Sequence, residues 1–540
     1  MSTRMGVWLR SPIWQAAGVV LAFLLVASFH HENDGLWFQG DAPRHAANGL
    51  FWWDLLRATP VDPVDYAVRY YARYPVIAPA TYPPLTYIVE GLAFAVFGPS
   101  PSVARYTILS FAMVAGIYTM AWARTWIGTL AGWTGVFLAF IPGIALWSNA
   151  VMLNVPATAL GIASLYHFRR WLENGRTIQL VSTAAFVAAV LLTYYPGASV
   201  LSILTAWFLF RVRHLSFDRR LWWVVPIALI AVVPLAAALL LSPLHTSRHL
   251  PWMGFLTRRT TWTFYWFALP SLVGTVTLSL SVAALAVAVW FERWRVEAAY
   301  LVLWIAVLLV GLSVLPARDP RYILLVAPAF VLAVAIGIAA AVRSLPEFAP
   351  PYQMVMLAGA LAIGVWSAGR VAVPRVTGFR EIALFLQQQA PTDAVLYDGD
   401  YDGLFGFYVR ALDPAFERRV VLASKLLYSY GPGATFEWTQ TSAVASTDDV
   451  VTLLRTRSGC RWVAIEARRK PPAVVARRLL AEAVTRSEFE FVRSFPITGA
   501  GDRRVDLYRM VNRVEPSTAV DLSFSSLSGR TFLHVVPITR

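Results

Sequence analysis

The stretch LNVPATALGIASLYHFRRWLENGR (residues 153–176) decides how this chain is organised. Its first part is an apolar run close to the roughly 20 residues that a helix needs to cross a bilayer. The run ends at Arg169 and Arg170, and Arg176 follows shortly after. Arginine and lysine collect in the loops on the cytoplasmic side of membrane proteins. The pattern therefore predicts a transmembrane helix whose C-terminal end faces the cytoplasm.

The composition of the 540-residue chain also indicates a membrane protein. Residues with hydrophobic side chains make up 57% of it and charged residues only 14%, whereas soluble domains average roughly 25% charged residues. The net charge is +15, and Lys425 and Lys470 are the only lysines. Because the arginines lie between apolar runs, we interpret them as topology signals and contacts with anionic membrane lipids, and we expect no nucleic-acid partner. The single cysteine, Cys460, excludes an intrachain disulfide.

Further apolar runs predict a polytopic α-helical membrane protein with about 11 transmembrane helices. The runs lie at about 12–29, 101–122, 127–147, 153–171, 178–193, 196–211, 221–241, 263–290, 298–315, 320–341 and 352–371. A shorter run at 84–97 is predicted to be a re-entrant or interfacial helix, because a full crossing there would conflict with the arginine pattern. The run at 12–29 has no small-residue cleavage pattern after it, so we expect an uncleaved helix rather than a signal peptide.

The arginine-rich loops predict the orientation of the chain. With all of them in the cytoplasm, the C-terminal part lies outside, which predicts a multi-pass protein of the bacterial cytoplasmic (inner) membrane with a periplasmic C-terminal domain. We expect a transmembrane domain at 1–375, an extracytoplasmic α/β domain at 376–515, and a less ordered Ser- and Thr-rich tail at 516–540. Alternating helix and strand patterns support the α/β domain. Strands are predicted at 394–397, 419–422, 461–466, 489–495 and 505–510, and helices at 379–389 and 472–483.

The first predicted outer loop contains Asp41, Arg44 and His45 in the sequence GDAPRH. A carboxylate at the mouth of a membrane cavity can accept a proton from an attacking hydroxyl group. Asp41 also precedes Pro43 and a helical pattern, as a helix N-cap residue does. Both interpretations of Asp41 stay open at this point.

Arginines on the predicted outer side suggest a site for phosphate. Guanidinium groups bind phosphate oxygens through paired hydrogen bonds, but arginines at an interface also snorkel to lipid headgroups. Tyr82 and Asn154 allow structural interpretations as well, as loop punctuation and as a helix cap. The candidate residues for this phosphate site on the predicted outer side are His249, Arg258, Arg259, Arg318, Arg321 and Tyr322.

Seven short segments, in this order, resemble the C-type glycosyltransferase superfamily, and within it the protein mannosyltransferases and lipid A aminoarabinose transferases (glycosyltransferase family 39). The likeness covers about the first 370 residues. The segments are Asp41, Tyr82-Pro83-Pro84-Leu85, Phe97-Gly98, Ala104-Arg105-Tyr106, Asn154-Val155-Pro156-Ala157, Tyr194-Tyr195-Pro196-Gly197 and Arg321-Tyr322.

The resemblance implies an inverting enzyme that moves a sugar from a polyprenyl-phosphate-type lipid donor to an acceptor glycan, lipid or protein at the outer membrane face. Asp41 matches the acid taken as the catalytic base of the family. Many members have Asp or Glu where this chain has Asn154, and an amide can neither act as a base nor give a metal a charged ligand. The cofactor is therefore unknown, and a divalent metal has no support in the sequence. The residues expected to bind substrate are Arg44, His45, Tyr82, Asn154, Tyr195, His249, Arg258, Arg259, Arg318, Arg321 and Tyr322.

Two other classes of protein remain as alternatives. A transporter or flippase of lipid-linked sugars would also be polytopic, although such proteins often contain inverted repeats, and no paired halves are evident in this sequence. A non-catalytic membrane receptor or assembly protein would use its outer domain to bind a partner, and the amide at Asn154 is compatible with that reading.

Overall fold

The computed structural model describes most of the chain outside several loops and both termini. The described residues are 11–29, 34–36, 41–77, 82–211, 259–314, 318–344, 350–432, 438–467, 474–499, 501, 503–511, 519–525 and 531–537. The predicted run at 221–241 and the candidate residues His249 and Arg258 lie outside these ranges.

The N-terminal part of the described chain is helical. Proline stands in the first turn of several of these helices, where the missing N–H leaves no helical hydrogen bond unmade. The helices are α1 (Pro12–Ser28), α2 (Asp41–Ala58), α3 (Pro63–Arg73), α4 (Leu85–Phe97), α5 (Pro101–Ile127), α6 (Gly132–Ala139), α7 (Pro142–Trp147), α8 (Asn154–Asn174), α9 (Thr177–Leu191), α10 (Ser199–Arg211), α11 (Arg259–Val273), α12 (Thr275–Trp290), α13 (Glu292–Ser313), α14 (Val326–Ser344) and α15 (Pro350–Gly369).

The structure does not confirm the prediction of about 11 membrane spans. Within the described ranges, α5 and α13 are long and apolar enough to cross a bilayer, and the bent pair of α11 and α12 adds a third if it counts as one span. Two of the predicted runs are interrupted. The run at 263–290 bends by 109° at Gly274, whose φ is 90°, and the run at 127–147 is divided before Pro142. Glycine and proline thus break helices that apolar composition alone predicts to be continuous.

Helix α5 packs against α8, α6 and α14. Near its C-terminal end, Trp122 stacks on Trp304 with 5.9 Å between the ring centroids, and Trp207 packs edge-on against both rings. At the same end of α8, Arg169 forms a salt bridge with Glu297 of α13. These contacts tie together the end of the helical region that the arginine pattern predicts to be cytoplasmic.

Helices α2 and α4 cross at unusually close range. A Cβ atom on Gly91 of α4 would lie 2.9 Å from the backbone nitrogen of Trp53, and one on Gly49 of α2 would lie 2.5 Å from Oε2 of Glu90. Glu90 is only 1% exposed, and neither of its carboxyl oxygens has a hydrogen-bond partner. Two glycines therefore fix the position of α2, which carries Asp41, against α4.

A mixed β-sheet follows the helical region, as the alternation of helix and strand predicts. Its order is β2-β1-β5-β7-β6, with β1 parallel to β2 and β5, and β7 antiparallel to β5 and β6. Its strands are β1 (Ala394–Asp398), β2 (Val420–Leu422), β5 (Cys460–Ala467), β6 (Phe489–Ile497) and β7 (Arg503–Met510). A separate hairpin pairs β3 (Tyr428–Pro432) with β4 (Trp438–Ser442). The helices of this part are α16 (Phe379–Gln389), α17 (Asp402–Ala411), α18 (Ala423–Leu426), α19 (Thr447–Thr452) and α20 (Val475–Ala483).

The tail contains more regular structure than the sequence predicts. Strands β8 (Ala519–Ser525) and β9 (Thr531–Pro537) form an antiparallel hairpin in which Phe524 pairs with Phe532. In the sequence, Val520, Leu522 and Phe524 alternate with polar residues along β8, a pattern that is typical of a strand.

Helix α17 fastens the sheet domain to α2. Arg410 of α17 forms a salt bridge with Asp54 of α2, and both side chains are only 5% exposed. Its Nε donates to Asp54 Oδ2 at 2.9 Å, and the Tyr70 hydroxyl donates to the same oxygen at 2.8 Å. Near the other end of α2, Gly403 approaches Pro43 so closely that a Cβ atom on it would lie 3.1 Å away. The sheet domain and α2 are therefore in direct contact.

Candidate active site

Asp41 and Arg321 meet although 280 positions separate them in the chain. Asp41 is the first residue of α2, and Arg321 lies in a short 3₁₀ turn, Pro320–Ile323, before α14. The Arg321 guanidinium donates to Asp41 Oδ2 at 3.1 Å. The Asp41 side chain is 35% exposed and that of Arg321 17%. The pair is thus partly shielded, yet Asp41 is still open to a ligand.

Other groups hold the guanidinium of Arg321 in place. Its Nε lies 3.2 Å from the Asp319 carboxylate, and Asp319 also caps the turn by accepting from the Arg321 backbone N–H at 3.0 Å. The rings of Trp147 and Tyr322 lie 5.8 and 5.7 Å from the guanidinium carbon, within cation–π range. Arg321 is therefore oriented before any ligand binds.

A cavity of about 260 Å³ adjoins this pair. We call it the Arg321 cavity. Part of this volume is open to solvent. It is lined by Asn154, Ala157, Thr158, Tyr194, Pro196, Gly197, Ser199, Arg321, Tyr322, Leu324 and Leu325.

Asn154 begins α8 on the wall of this cavity and is only 3% exposed. Its Nδ2 donates to the backbone oxygen of Arg321 at 3.0 Å, which ties α8 to the turn that carries Arg321. Its Oδ1 is buried without a hydrogen-bond partner. An orphaned amide oxygen can accept a hydrogen bond from a ligand hydroxyl, but it cannot take up a proton.

Tyrosines and a histidine form the next layer around Asp41. The His45 ring packs against Tyr82 with 5.0 Å between centroids and hydrogen-bonds through Nδ1 to the Tyr87 hydroxyl at 2.6 Å. Burial lowers the pKa of His45 to about 4, although the Asp41 carboxylate opposes this shift. Burial likewise raises the pKa of Tyr82. His45 is therefore neutral near pH 7. Because it is only 2% exposed, it packs behind the site and does not contact a ligand directly.

Several predicted site residues lie away from the cavity. Arg44 points to the sheet domain, where its Nη2 contacts both carboxylate oxygens of Asp402 at 2.9 and 3.2 Å. The Arg318 guanidinium lies 5.7 Å from the Phe264 ring centre. Tyr194 lines the cavity, whereas its neighbour Tyr195 is not part of the lining. Arg259 begins α11, but its side chain lies outside the described structure.

Sequence reasoning missed three contributors. Tyr87 lies five residues after Tyr82, and Tyr194 precedes the Tyr195 that was selected. Trp147 comes at the end of an apolar run, where nothing distinguishes it from a core residue. The Asp-Pro pair at 319–320 was a usable signal, because Asp before proline commonly caps a short turn, and this turn presents Arg321.

The side chains around Asp41 do not suit a divalent metal ion as ligands. In the described part of the chain, no group of three or more His, Cys, Asp or Glu side chains could hold a metal ion. Asn154 adds no charge, and the Arg321 guanidinium at 3.1 Å from Asp41 repels a cation at that oxygen. We therefore derive no catalytic step through a metal.

Sequence comparison alone does not classify the chain: no protein-family model and no curated protein sequence matches it. Solved structures do match. ArnT from Cupriavidus metallidurans aligns with TM-scores of 0.59 in its undecaprenyl phosphate-bound state and 0.60 in its apo state, at 15% and 16% identity. The two alignments cover 94% and 93% of this chain and 99% and 100% of ArnT.

Two further neighbours share the fold over less of their own length. The oligosaccharyltransferase of Archaeoglobus fulgidus, in complex with Zn and sulfate, aligns with a TM-score of 0.54 and 12% identity over 83% of this chain and 68% of its own. The arabinofuranosyltransferase AftD from Mycobacteria aligns with a TM-score of 0.52 and 15% identity over 95% of this chain and 41% of its own. The chain therefore has the C-type glycosyltransferase fold that the order of its motifs predicted. Among these proteins, ArnT matches it along nearly the whole length of both chains.

Proposed function

We propose that this protein is an inverting membrane glycosyltransferase that transfers a sugar from a polyprenyl-phosphate-type lipid donor. The observation that carries the proposal is the meeting of Asp41 and Arg321 beside the Arg321 cavity. A carboxylate open to a ligand and an oriented guanidinium are the two groups that sugar transfer from a phosphate requires. The ArnT structure with undecaprenyl phosphate supports a lipid-phosphate donor.

In this mechanism the donor phosphate binds the Arg321 guanidinium. Because Arg321 is paired with Asp41, a phosphate that competes for the guanidinium releases the carboxylate as a base. Asp41 then takes the proton of the acceptor hydroxyl, whose oxygen forms a bond to the anomeric carbon. The bond between that carbon and the phosphate oxygen breaks, and the lipid phosphate leaves with the electron pair. Arg321 stabilises the charge that develops on it.

Other residues orient the sugar and the acceptor. Asn154 Oδ1 offers an acceptor to a sugar hydroxyl at the cavity wall. Tyr194 and Tyr322, with 6.3 Å between ring centroids, give an aromatic surface on which a sugar ring can pack. We propose that the domain at 376–515 assists acceptor binding, because α17 contacts the N-terminal end of α2 beside Asp41. The site would then face the outside of a bacterial cytoplasmic membrane, with this domain extracytoplasmic.

The test measures transfer by purified protein in proteoliposomes, with a panel of radiolabelled polyprenyl-phosphate sugars and a membrane extract as acceptor source. Loss of a general base typically costs about 10²- to 10⁴-fold in rate, so Asp41→Asn should lose transfer to that extent while still binding donor. Asp65→Asn is the matched control, since Asp65 is 51% exposed and pairs with Arg69 one turn away.

Transfer by Asp41→Asn at the wild-type rate would show that Asp41 is not the base. Movement of labelled lipid across the bilayer without a new glycosidic bond would favour a transporter. Absence of both activities, with a partner captured by the sheet domain, would favour a receptor.

A further inference from the structure

Glu90 is a buried carboxyl group that the proposed mechanism does not use. It lies on α4, which the sequence predicts to be re-entrant or interfacial rather than membrane-spanning. Glu90 is 1% exposed, and neither of its carboxyl oxygens has a hydrogen-bond partner in the described part of the chain. An ionised carboxylate is very costly to bury without a partner, whereas the neutral acid costs far less. Burial therefore holds Glu90 in its protonated form.

The charged side chains around α4 have partners other than Glu90. Helices α2 and α5 pack on α4, and Phe407 of α17 packs on Phe94 near the end of α4 with 6.4 Å between ring centroids. Burial, rather than a neighbouring charge, thus governs the protonation of Glu90. On α4 and these three neighbours the contacts are Tyr87 with His45, Asp41 with Arg321, Arg44 with Asp402, Asp54 with Arg410, Arg57 with the Trp53 ring, Arg105 with the Gly35 oxygen, Tyr118 with His167 and Tyr408 with Asp34.

The carboxyl group of Glu90 lies directly against α2. A Cβ atom on Gly49 of α2 would lie 2.5 Å from Glu90 Oε2, so no layer of water fits between the two helices at this point. On α4, Leu92 and Val96 are 55% and 73% exposed and form an apolar surface that suits lipid. Hydration of an ionised Glu90 therefore requires α2 to move away from α4.

The position of α2 at Gly49 is coupled to the candidate active site. Gly49 follows Asp41 by eight residues, which is about 12 Å along the helix axis. Tyr87, one turn before Glu90, hydrogen-bonds to Nδ1 of His45, one turn after Asp41, at 2.6 Å. A movement of α2 away from α4 therefore also displaces Asp41, whose Oδ2 lies 3.1 Å from the Arg321 guanidinium.

We propose that Glu90 is a positioning residue that acts through α2. As the neutral acid it lets α2 pack on α4 with Asp41 beside Arg321, and its ionisation at alkaline pH releases α2. The consequence for sugar transfer rests on the proposed function, whereas the movement of α2 does not.

The experiment compares the wild type with Glu90→Gln, which has the shape of the neutral acid and cannot ionise. Two quantities are measured against pH in proteoliposomes: the transfer rate, and the protection of α2 amides from hydrogen exchange, corrected for the intrinsic exchange rate. Buried glutamates ionise at up to about pH 9, so the wild type should lose α2 protection between about pH 7 and about pH 10. Its transfer rate should fall by about 100-fold over this range, as misplacement of a catalytic group by about 1 Å can cause. Glu90→Gln should keep both.

Glu490→Gln is the matched control. It is the same substitution at a glutamate that is 52% exposed and paired with Arg509 in the sheet domain, and it should follow the wild type at every pH. If Glu90→Gln does not fold, infrared spectroscopy of the wild type still tests the proposal. The carbonyl band of a protonated carboxyl group should then disappear over the pH range in which α2 loses protection.

Equal α2 protection in the wild type and Glu90→Gln at every pH would overturn the proposal, as would a wild type without the band of a protonated carboxyl group near neutral pH. A failure of the proposed function gives a different result. In that case no protein transfers sugar, but the wild type and Glu90→Gln still differ in α2 protection at alkaline pH.

Discussion

Arg321 is the residue on which the candidate active site depends most. It contacts Asp41 and Asp319 at 3.1 and 3.2 Å, and it lies beside two aromatic rings. A lysine at this position could not make the same contacts, because its ammonium group is a point charge without a planar fork. The guanidinium therefore serves two purposes: it holds the base in place, and it offers the cavity a group for phosphate.

His45 gives the site a measurable pH dependence. Burial lowers the pKa of His45 from its ordinary value of 6.5 to about 4. Between these two values the unfolded chain binds more protons than the folded chain. The stability that neutral His45 provides is therefore complete above about pH 6.5 and is lost as the pH falls toward 4. At about 1.4 kcal/mol per pKa unit, the loss is about 3 kcal/mol.

His45→Gln should consequently flatten the dependence of thermal stability on pH between 6.5 and 4, as measured by unfolding in lipid nanodiscs. Tyr87→Phe is the control. It removes the hydrogen bond to His45 but leaves the ring buried, and since burial is the main cause of the shift, the pH dependence should persist. The same slope in the wild type and His45→Gln would contradict this role of His45.

At the scale of elements, the site depends on how closely α2 packs on α4. Asp41 begins α2, and α2 and α4 approach each other closely at Gly49 and Gly91. Small residues at helix crossings allow such an approach in membrane proteins. The distance between the two helices thus sets the position of Asp41 relative to Tyr87 and Tyr82.

Gly91→Ala should lower the thermal stability of the protein. The added Cβ atom would lie 2.9 Å from the Trp53 nitrogen, and backbone atoms cannot yield as a flexible side chain can. Overpacking of this kind typically costs about 1–3 kcal/mol. Gly311→Ala, in α13, is the matched control: nothing lies within 4 Å of its added Cβ, so the better helix propensity of alanine should raise stability by up to about 1 kcal/mol. Thermal unfolding in nanodiscs measures the stability of both variants. A change of the same sign in Gly91→Ala and Gly311→Ala would contradict the explanation by overpacking.

At the scale of the whole molecule, the sheet domain and the helical region share a buried ion pair. Arg410 and Asp54 are each 5% exposed, and the Phe416 ring centre lies 5.0 Å from the Arg410 guanidinium carbon. A second ion pair between the same helices, Arg44 with Asp402, is far more open, with Arg44 47% exposed. The buried pair is thus the less exposed of these two ion pairs that hold the domain on α2.

Arg410→Met should destabilise the protein by about 3–5 kcal/mol, because it leaves the Asp54 carboxylate buried without its partner. The double variant with Asp54→Leu should recover much of that loss, since it removes the orphaned charge as well. Arg44→Met should cost no more than about 1 kcal/mol, as exposed ion pairs do. Chemical unfolding of the four proteins measures these differences, and an equal loss in Arg410→Met and Arg44→Met would contradict the assignment.

Properties that depend on neighbouring residues could be read from the sequence of this protein. Apolar runs and arginine-rich loops predicted a helical membrane region, the alternation of helix and strand patterns within 376–515 predicted the sheet, and the order of short motifs predicted the C-type fold. Helix breaks were harder to predict, because apolar composition does not reveal that the chain bends at Gly274 or divides before Pro142.

The tertiary structure alone decided which residues meet. Asp41 had several arginines as possible partners, and only folding brings Arg321 to it from 280 positions away and turns Arg44 to Asp402 instead. The pairing of Asp54 with Arg410, 356 positions apart, had no local signal either. The physical reason is that periodicity and charge patterns record each segment's preference for lipid, water or core. Contacts between distant segments arise from packing, which no single segment encodes.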